Sequence, residues 1–435
     1  MGIVSDLLDK KVNEVGTTIY RPPYAPLSFA AIAGRNSYEY YDPERKSPLH
    51  NWHITNGAVF EDVGQWKRPW FFPINKDETM DEAVQRESKN VRENAGVLDG
   101  STLGKIEIKG KDALAFMNLI YTNSFSKMKP GSSRYALMLG EDGMVKDDGI
   151  ICKISDEHFI ATTTTGGAAT VLGCMEEYAQ TEWPNLNVYM NSITEQYATF
   201  NISGPKTRNI IEKVFPEVNF SNEAFPFMTF QFHEYEDTPI RILRASFTGE
   251  MGYEIYVPSN QALKIWEKII NFGKEFGLKP YGTETMHLLR AEKGYIIVGQ
   301  DTDGSITPLD LGLDWMIGKS KKDFLGKRSL IRSDTVRKDR KQLVGILPTN
   351  KNEKLEEGQH IILDKEIKTP TPMLGHITSC YQSPTLGHNF ALAVIKNGQS
   401  LIGTKAFAST PELKTIEVEI VEPIFYDKEN TKLAS

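Results

Sequence analysis

The chain has 435 residues, a hydrophobic fraction of 40%, a charged fraction of 25% and a net charge of -7. That length exceeds one ordinary core and predicts two or three domains, and the composition is that of a soluble globular protein. The acidic balance excludes a polyanion-binding face, so no nucleic-acid partner is expected, and no apolar run approaches the roughly 20 residues a membrane helix needs.

Nothing near the N-terminus combines a basic segment with an apolar core as a secretory signal does, so a cytoplasmic location is expected. Cys152, Cys174 and Cys380 stand far apart with no Cys/His cluster of metal-ligand spacing, which predicts reduced packing residues and no metal site. Residues 1–70 are rich in Pro, Tyr and Trp and lack sustained periodicity, as in RPPYAPLSF and VGQWKRPW. They read as an extended arm, ordered either against the rest of the chain or against another subunit.

From Leu103 the pattern changes. KIEIKG alternates as a half-buried strand, and DALAFMNLI follows as a helix. A second strand, glycine and helix come at ATFNISGP and KTRNIIEKVF, which suggests a duplicated α+β lobe. Further strands are expected at GIICKIS, HFIATTTT, IRILRASF and YEIYVP, mostly in antiparallel sheets. The two lobes are expected within residues 71–330. The basic run KSKKDFLGKRSLIR reads as a solvated connector, and residues 335–430 carry the short strands of a small β-barrel or sandwich.

Four acids crowd the segment LGEDGMVKDDGI. Glu141 and Asp142 fit turn chemistry. Asp147 and Asp148 begin an apolar strand, where a carboxylate is either a proton-handling group or a surface acid at a strand end. In FTGEMGYEI, glycines flank Glu250, and Glu250 or Glu254 is suited to a ligand edge presenting paired N–H donors, or else is a hairpin acid. YGTETMHLLRAEKG predicts a helix with Thr283 as N-cap, Glu284 in its first turn and Gly294 as its stop. Its Arg290 either faces an anion or pairs internally with Glu284, Glu292 or a carbonyl. Tyr426, after the last strand, either closes a pocket or caps the barrel.

Those segments, with WHITNGAVFEDVGQWKRPW, GVLDGSTLGKIEIKG, YTN, TTTTGGAATVL and DFLGKRSL, resemble the folate-binding, T-protein-like (aminomethyltransferase family) half of the heterotetrameric sarcosine oxidase alpha subunit over nearly the whole chain. The resemblance implies a cloverleaf of two related α+β lobes with antiparallel sheets plus a C-terminal β-barrel. It implies tetrahydrofolate as cofactor, with Asp147, Asp148 at the catalytic position and Asp147 the first choice. It places Tyr121, Glu250 or Glu254, Arg290 and Tyr426 against the folate. It further implies a flavin-containing sarcosine oxidase beta-like partner with small subunits. That partner would oxidise sarcosine or a related N-methyl amine, and the released methylene or formaldehyde would be trapped as 5,10-methylenetetrahydrofolate. No GxGxxG follows a strand, so FAD, FMN and NAD are expected only on partner subunits. The alternatives are a stand-alone aminomethyltransferase of glycine cleavage and a noncatalytic assembly subunit for flavoproteins.

Overall fold

The computed structural model describes residues 2–11, 14–15, 44–367 and 370–435, so the RPPYAPLSF segment lies outside the described residues. The chain divides into two compact units, 1–45 and 46–435. In the first, the described residues hold one short helix, α1 (Gly2–Leu8).

The second unit opens with α2 (His50–Thr55) and a hairpin of β1 (Val59–Val63) and β2 (Trp66–Phe71). Structured backbone therefore begins well before residue 70, where the sequence suggested an arm. The aromatic residues that broke its periodicity are packing groups: Trp66 and Phe72 are buried, and Trp52 meets Trp266 edge-on. Helix α3 (Met80–Glu93) starts at a capping box, in which Thr79 and Glu82 satisfy each other's backbone N–H.

Two sheets carry the lobes. The first contains, in spatial order, β10 (Phe230–Tyr235), β11 (Thr238–Leu243), β12 (Gly252–Pro258), β9 (Tyr197–Ser203), β3 (Ala95–Asp99) and β13 (Leu278–Pro280). Every pair is antiparallel except β13 with β3. The second contains β5 (Ser133–Leu139), β6 (Val145–Ser155), β7 (His158–Thr163), β4 (Gly104–Lys109) and β8 (Tyr189–Ser192), all antiparallel. The second sheet is built from one continuous stretch inserted between β3 and β9 of the first.

The suspected duplication is visible at residue level. β4 leads through Gly110 (φ 136°) into α4 (Ala113–Ile120), and β9 leads through Gly204 (φ 131°) into α6 (Thr207–Val214). A side chain at either glycine would collide with backbone, with Asn187 O at 2.1 Å in one case and Asn94 O at 2.7 Å in the other. Helices α5 (Ala168–Thr181) and α7 (Ala262–Gly273) complete the lobes.

Helix α8 (Thr283–Glu292) joins the lobes to the C-terminal domain. That domain is a closed barrel of β14 (Lys341–Pro348), β17 (His388–Lys396), β16 (Gly375–Ser383), β15 (His360–Ile362), β18 (Lys405–Ser409) and β19 (Thr415–Val421). The expected α+β cloverleaf with a terminal barrel is the observed architecture.

The helix start differs by one residue from expectation. Gly282 is the N-cap and Thr283 the first helical residue. Glu87 explains the shift, because it accepts the N–H of Gly282 at 2.9 Å and the hydroxyl of Thr285 at 2.7 Å, while Thr283 donates to Glu61 at 2.5 Å. The basic run is not a solvated connector throughout either. Lys321 folds back onto the carbonyls of Tyr121 and Asn123, and Lys327 onto those of Lys321 and Lys322.

Candidate functional site

The acidic hairpin β5–β6 puts Asp147 opposite Met138 and Asp148 opposite Leu137, so strand alternation sends the two carboxylates to different faces. Asp147 is 2% exposed. Its Oδ1 accepts the N–H of Asp148 at 2.9 Å and that of Thr164 at 3.4 Å, while Oδ2 is buried without a partner. Gly167, the N-cap of α5, leaves room for it, since a Cβ there would stand 2.3 Å from Oδ2. Burial raises the Asp147 carboxyl above the usual carboxylate range. Tyr121 joins this cluster through a β-bridge to Met138, and burial and the charge of Asp147 raise its phenol.

Asp148 is only half-buried, and the Tyr135 hydroxyl donates to its Oδ2 at 2.5 Å. Burial, reinforced by the charge of Asp147, outweighs that bond and pushes the carboxyl up to about 7. A carboxyl in that range exchanges protons near neutral pH, as an acid-base group must. Nearby, the ring of Tyr295 stacks on Phe247 with centroids 5.9 Å apart and planes 20° from parallel. Both rings of this stack are partly exposed.

Glu250 and Tyr426 meet directly, in an internal network. The Tyr426 hydroxyl donates to Glu250 Oε1 at 2.5 Å, and Arg92 Nη1 donates to the same oxygen at 3.1 Å. Arg92 also pairs with Glu292 at 2.5 Å and lies 3.8 Å above the Tyr426 ring centroid. Glu250 is thus fastened by a cation and a phenol before any ligand arrives.

Glu254 sits elsewhere on the same hairpin. Its Oε1 accepts from Asn201 Nδ2 at 2.9 Å and its Oε2 from the Tyr256 hydroxyl at 2.5 Å. Burial raises this carboxyl, opposed by Tyr256 and by the charge of Arg241. Beside it, Asn201 Oδ1 and Thr199 Oγ1 are buried without partners. Gly100 makes space for Asn201, because a Cβ there would stand 2.5 Å from Oδ1.

The loop 100–103 connects the two carboxylate clusters. Thr102 Oγ1 bonds Thr165 Oγ1 at 3.1 Å, next to the Thr164 that holds Asp147. Ser101 Oγ accepts the N–H of Thr199 at 3.0 Å on the Glu254 side.

Arg290 stands apart from both. It is fully buried, pairs with Asp301 at 2.5 Å, and donates to Tyr295 O and Ser379 Oγ. Of the internal partners expected it takes a carbonyl, that of Tyr295, and neither Glu284 nor Glu292; its ion pair is with Asp301 of the following turn, and its bond to Ser379 ties α8 to barrel strand β16. A separate cavity of ≈ 230 Å³ lies between Asp81, Glu284, Lys354, Glu357, Tyr381 and Phe390, and none of the seven sequence-derived residues lines it. Among the described residues there is no group of three His, Cys, Asp or Glu able to hold a metal ion, and no helix long and apolar enough to cross a membrane. Cys152, Cys174 and Cys380 are free thiols.

Sequence reasoning did not single out Tyr135, Asn201, Phe247, Tyr295 or Arg92. The first four lie on or beside segments already of interest, and strand alternation was an available signal for Tyr135 and Asn201, which sit on β5 and β9. Arg92 gave none, since its partners Glu250 and Glu292 are remote in sequence.

Residues 49–321 match the GCVT N-terminal domain family, 341–427 the glycine cleavage T-protein C-terminal barrel domain, and 1–35 the sarcosine oxidase A3 domain. The sarcosine oxidase subunit alpha of Corynebacterium sp. (strain P-1) is 48% identical over 99% of this chain, and that of Rhizobium meliloti 39% over 100%. The chain spans 45% and 44% of those proteins' lengths. An aminomethyltransferase of Thermoanaerobacter pseudethanolicus is 30% identical over 90% of this chain and 100% of its own. The crystal structure of the glycine cleavage system aminomethyltransferase T from Bartonella henselae shares the fold, with a TM-score of 0.76 at 22% identity over 88% of this chain and 98% of that one. The chain belongs to the glycine cleavage T-protein family and corresponds to the T-protein-like half of sarcosine oxidase alpha subunits.

Proposed function

We propose that this chain binds a reduced folate between Asp148 and Glu254, within a sarcosine oxidase-like assembly whose flavoprotein partner oxidises sarcosine or a related N-methyl amine. The observation that carries the reading is the pair of raised carboxylates, one on each lobe, Asp148 on β6 and Glu254 on β12. The edge of a reduced pterin presents adjacent N–H and amino donors. Glu254, with the unpartnered Asn201 Oδ1 beside it, offers the matching acceptors. The stacked rings of Phe247 and Tyr295 offer a flat apolar face to the remainder of such a ligand.

Tetrahydrofolate held there would supply two secondary amines able to take up formaldehyde as 5,10-methylenetetrahydrofolate, the carbonyl oxygen leaving as water. The chain's own contribution is orientation and a proton. Asp148, half-buried with its carboxyl pushed up to about 7, is the group suited to giving and taking that proton, and general acid-base help of this kind is worth about 10²-fold or more. Asp147, the first choice from sequence, is enclosed at the start of α5. Its role is to raise its neighbour's carboxyl through like charge. Glu250, Tyr426 and Arg92 buttress the wall, and Arg290 fixes the barrel to it. Full coverage of the Thermoanaerobacter aminomethyltransferase supports a second reading, aminomethyl transfer without a flavoprotein.

Calorimetric titration with tetrahydrofolate tests the binding. Saturable binding by the wild type is expected, with Glu254→Gln weakening it by roughly 10-fold or more through loss of a charge-assisted hydrogen bond. Asp148→Asn should bind nearly as well but fail to convert formaldehyde. A wild type that binds flavoprotein and not folate would overturn the reading in favour of an assembly role.

A further inference from the structure

The cavity of ≈ 230 Å³ beside the barrel is walled by α3, α8, the loop before β15 and strands β16 and β17. Several of its polar atoms are acceptors without a donor. Glu284 takes Trp70 Nε1 on Oε2 at 3.0 Å, and Oε1 has no hydrogen bond. Glu357 takes Gln300 Nε2 on Oε1 at 2.9 Å, and Oε2 has none. Asn389, only 7% exposed, gives Nδ2 to Lys351 O at 3.3 Å and leaves Oδ1 unpaired. The Cys380 thiol, by contrast, is already committed to Leu355 O at 3.1 Å.

With Asp81, three carboxylates line this space against one cation, the exposed Lys354. Burial, reinforced by the charge of Glu284, raises the Glu357 carboxyl, so the two acids share poorly solvated surroundings. A cation between them relieves that repulsion and gives the unpaired oxygens their donors. Among the described residues no three His, Cys, Asp or Glu converge as metal ligands, so the donors must be spread over an organic ion. The rest of the lining agrees, for Val84 and Leu288 are buried and apolar, and the rings of Tyr381 and Phe390 stand with centroids 6.2 Å apart. Aromatic faces attract ammonium groups. The volume is below the roughly 300–1,000 Å³ of pockets that take drug-sized ligands, so the ion is compact.

We propose that this cavity binds a compact organic ammonium, held by Glu284 and Glu357 with Asn389 Oδ1 as a third acceptor. None of the residues assigned to folate lines it, so the two sites stand or fall separately. Glu284 lies in the first turn of α8 and holds Trp70 of β2, while Tyr381 follows by two residues the Ser379 that Arg290 reaches. An ammonium bound here bridges the joint between the lobes and the barrel, and stabilises the folded protein according to its occupancy.

The test is calorimetric titration of the full chain with ethylammonium chloride, in about 0.15 M NaCl to screen diffuse attraction. Saturable binding at one site is expected, with a Tm that rises as the ammonium is added. Glu284→Gln and Glu357→Gln should each weaken binding by about 10-fold through loss of a charge-assisted hydrogen bond. Glu357→Lys should abolish both the binding and the rise in Tm, and because Glu357 is exposed the substitution leaves the fold intact. Asp148→Asn should change neither. No saturable wild-type binding, undiminished binding by Glu357→Lys, competition by sodium acetate, or binding lost in Asp148→Asn in place of Glu357→Lys would each overturn the site, the last by moving the cation to the pocket assigned to folate.

Discussion

Asp147 and Asp148 are chain neighbours with different surroundings, one sealed against Gly167 and the other half-open beside Tyr135. Only the second has a carboxyl pushed up to about 7, from an ordinary value of 3.8. The folded state therefore holds this proton more tightly than the unfolded chain does. Its contribution to stability is fullest below about pH 4 and is lost as pH rises towards 7. Asp148→Asn removes the term, so the stability of the wild type relative to Asp148→Asn should fall between pH 4 and pH 7 in urea unfolding. A difference that stays flat or grows with pH would contradict the assignment. The acid pair was legible in sequence as four carboxylates in one hairpin. Which aspartate titrates was not, because that depends on Tyr135 from strand β5 and on Gly167 at the start of α5. The same holds for Glu250 and Glu254. They share one glycine-rich motif, and only the approach of Arg92 on one side and of Asn201 on the other tells them apart.

At the scale of elements, periodicity revealed more. The strand, glycine and helix units, the strands expected at GIICKIS, HFIATTTT, IRILRASF and YEIYVP and the terminal barrel follow from alternation interrupted by glycine and formed where the sequence suggested, whereas β3, β5, β8, β10 and β13 had not been singled out. The capped helix was found with its cap displaced by one residue, since the preference of threonine for that position yields when a buried carboxylate, Glu87, claims the preceding backbone N–H. Gly282 has a steric reason as well, for a Cβ there would stand 1.9 Å from Trp70 O. Gly282→Ala must push α8 away from β2, and overpacking of this kind costs about 1–3 kcal/mol or more. A lowered urea midpoint with an unchanged slope is the expected result, and a neutral substitution would show that the hairpin yields freely. The basic run misled because lysines in sequence look solvated, and carbonyls that attract them leave no mark there.

Over the whole molecule, the second lobe is an insertion in the first. Its core joins Ile106, Phe116, Met138, Ile151, Phe159 and Met175, all from within the inserted stretch, although Leu325 also packs on it. A fragment spanning residues 101–196 should therefore retain β-rich circular dichroism and melt cooperatively, more weakly than the intact protein. A fragment with no cooperative transition would mean that the later connector is indispensable to this core. The first lobe has no such autonomy, because its strands are gathered from β3, β9–β12 and β13. The barrel closes on itself, and α8 joins it to the lobes through the buried Arg290–Asp301 pair and Ser379.

Strand β3, fully buried in the finished protein, hydrogen-bonds to β9 on one side and β13 on the other. On the ribosome it emerges with neither. At the usual elongation rates, the wait for β9 lasts on the order of 5–20 s and that for β13 longer still. During that interval the inserted lobe has time to fold, while an apolar strand with two bare edges waits beside it. The same nesting that interleaves the two lobes thus leaves Ala95–Asp99 as a buried strand whose edges a chaperone would have to cover on the nascent chain.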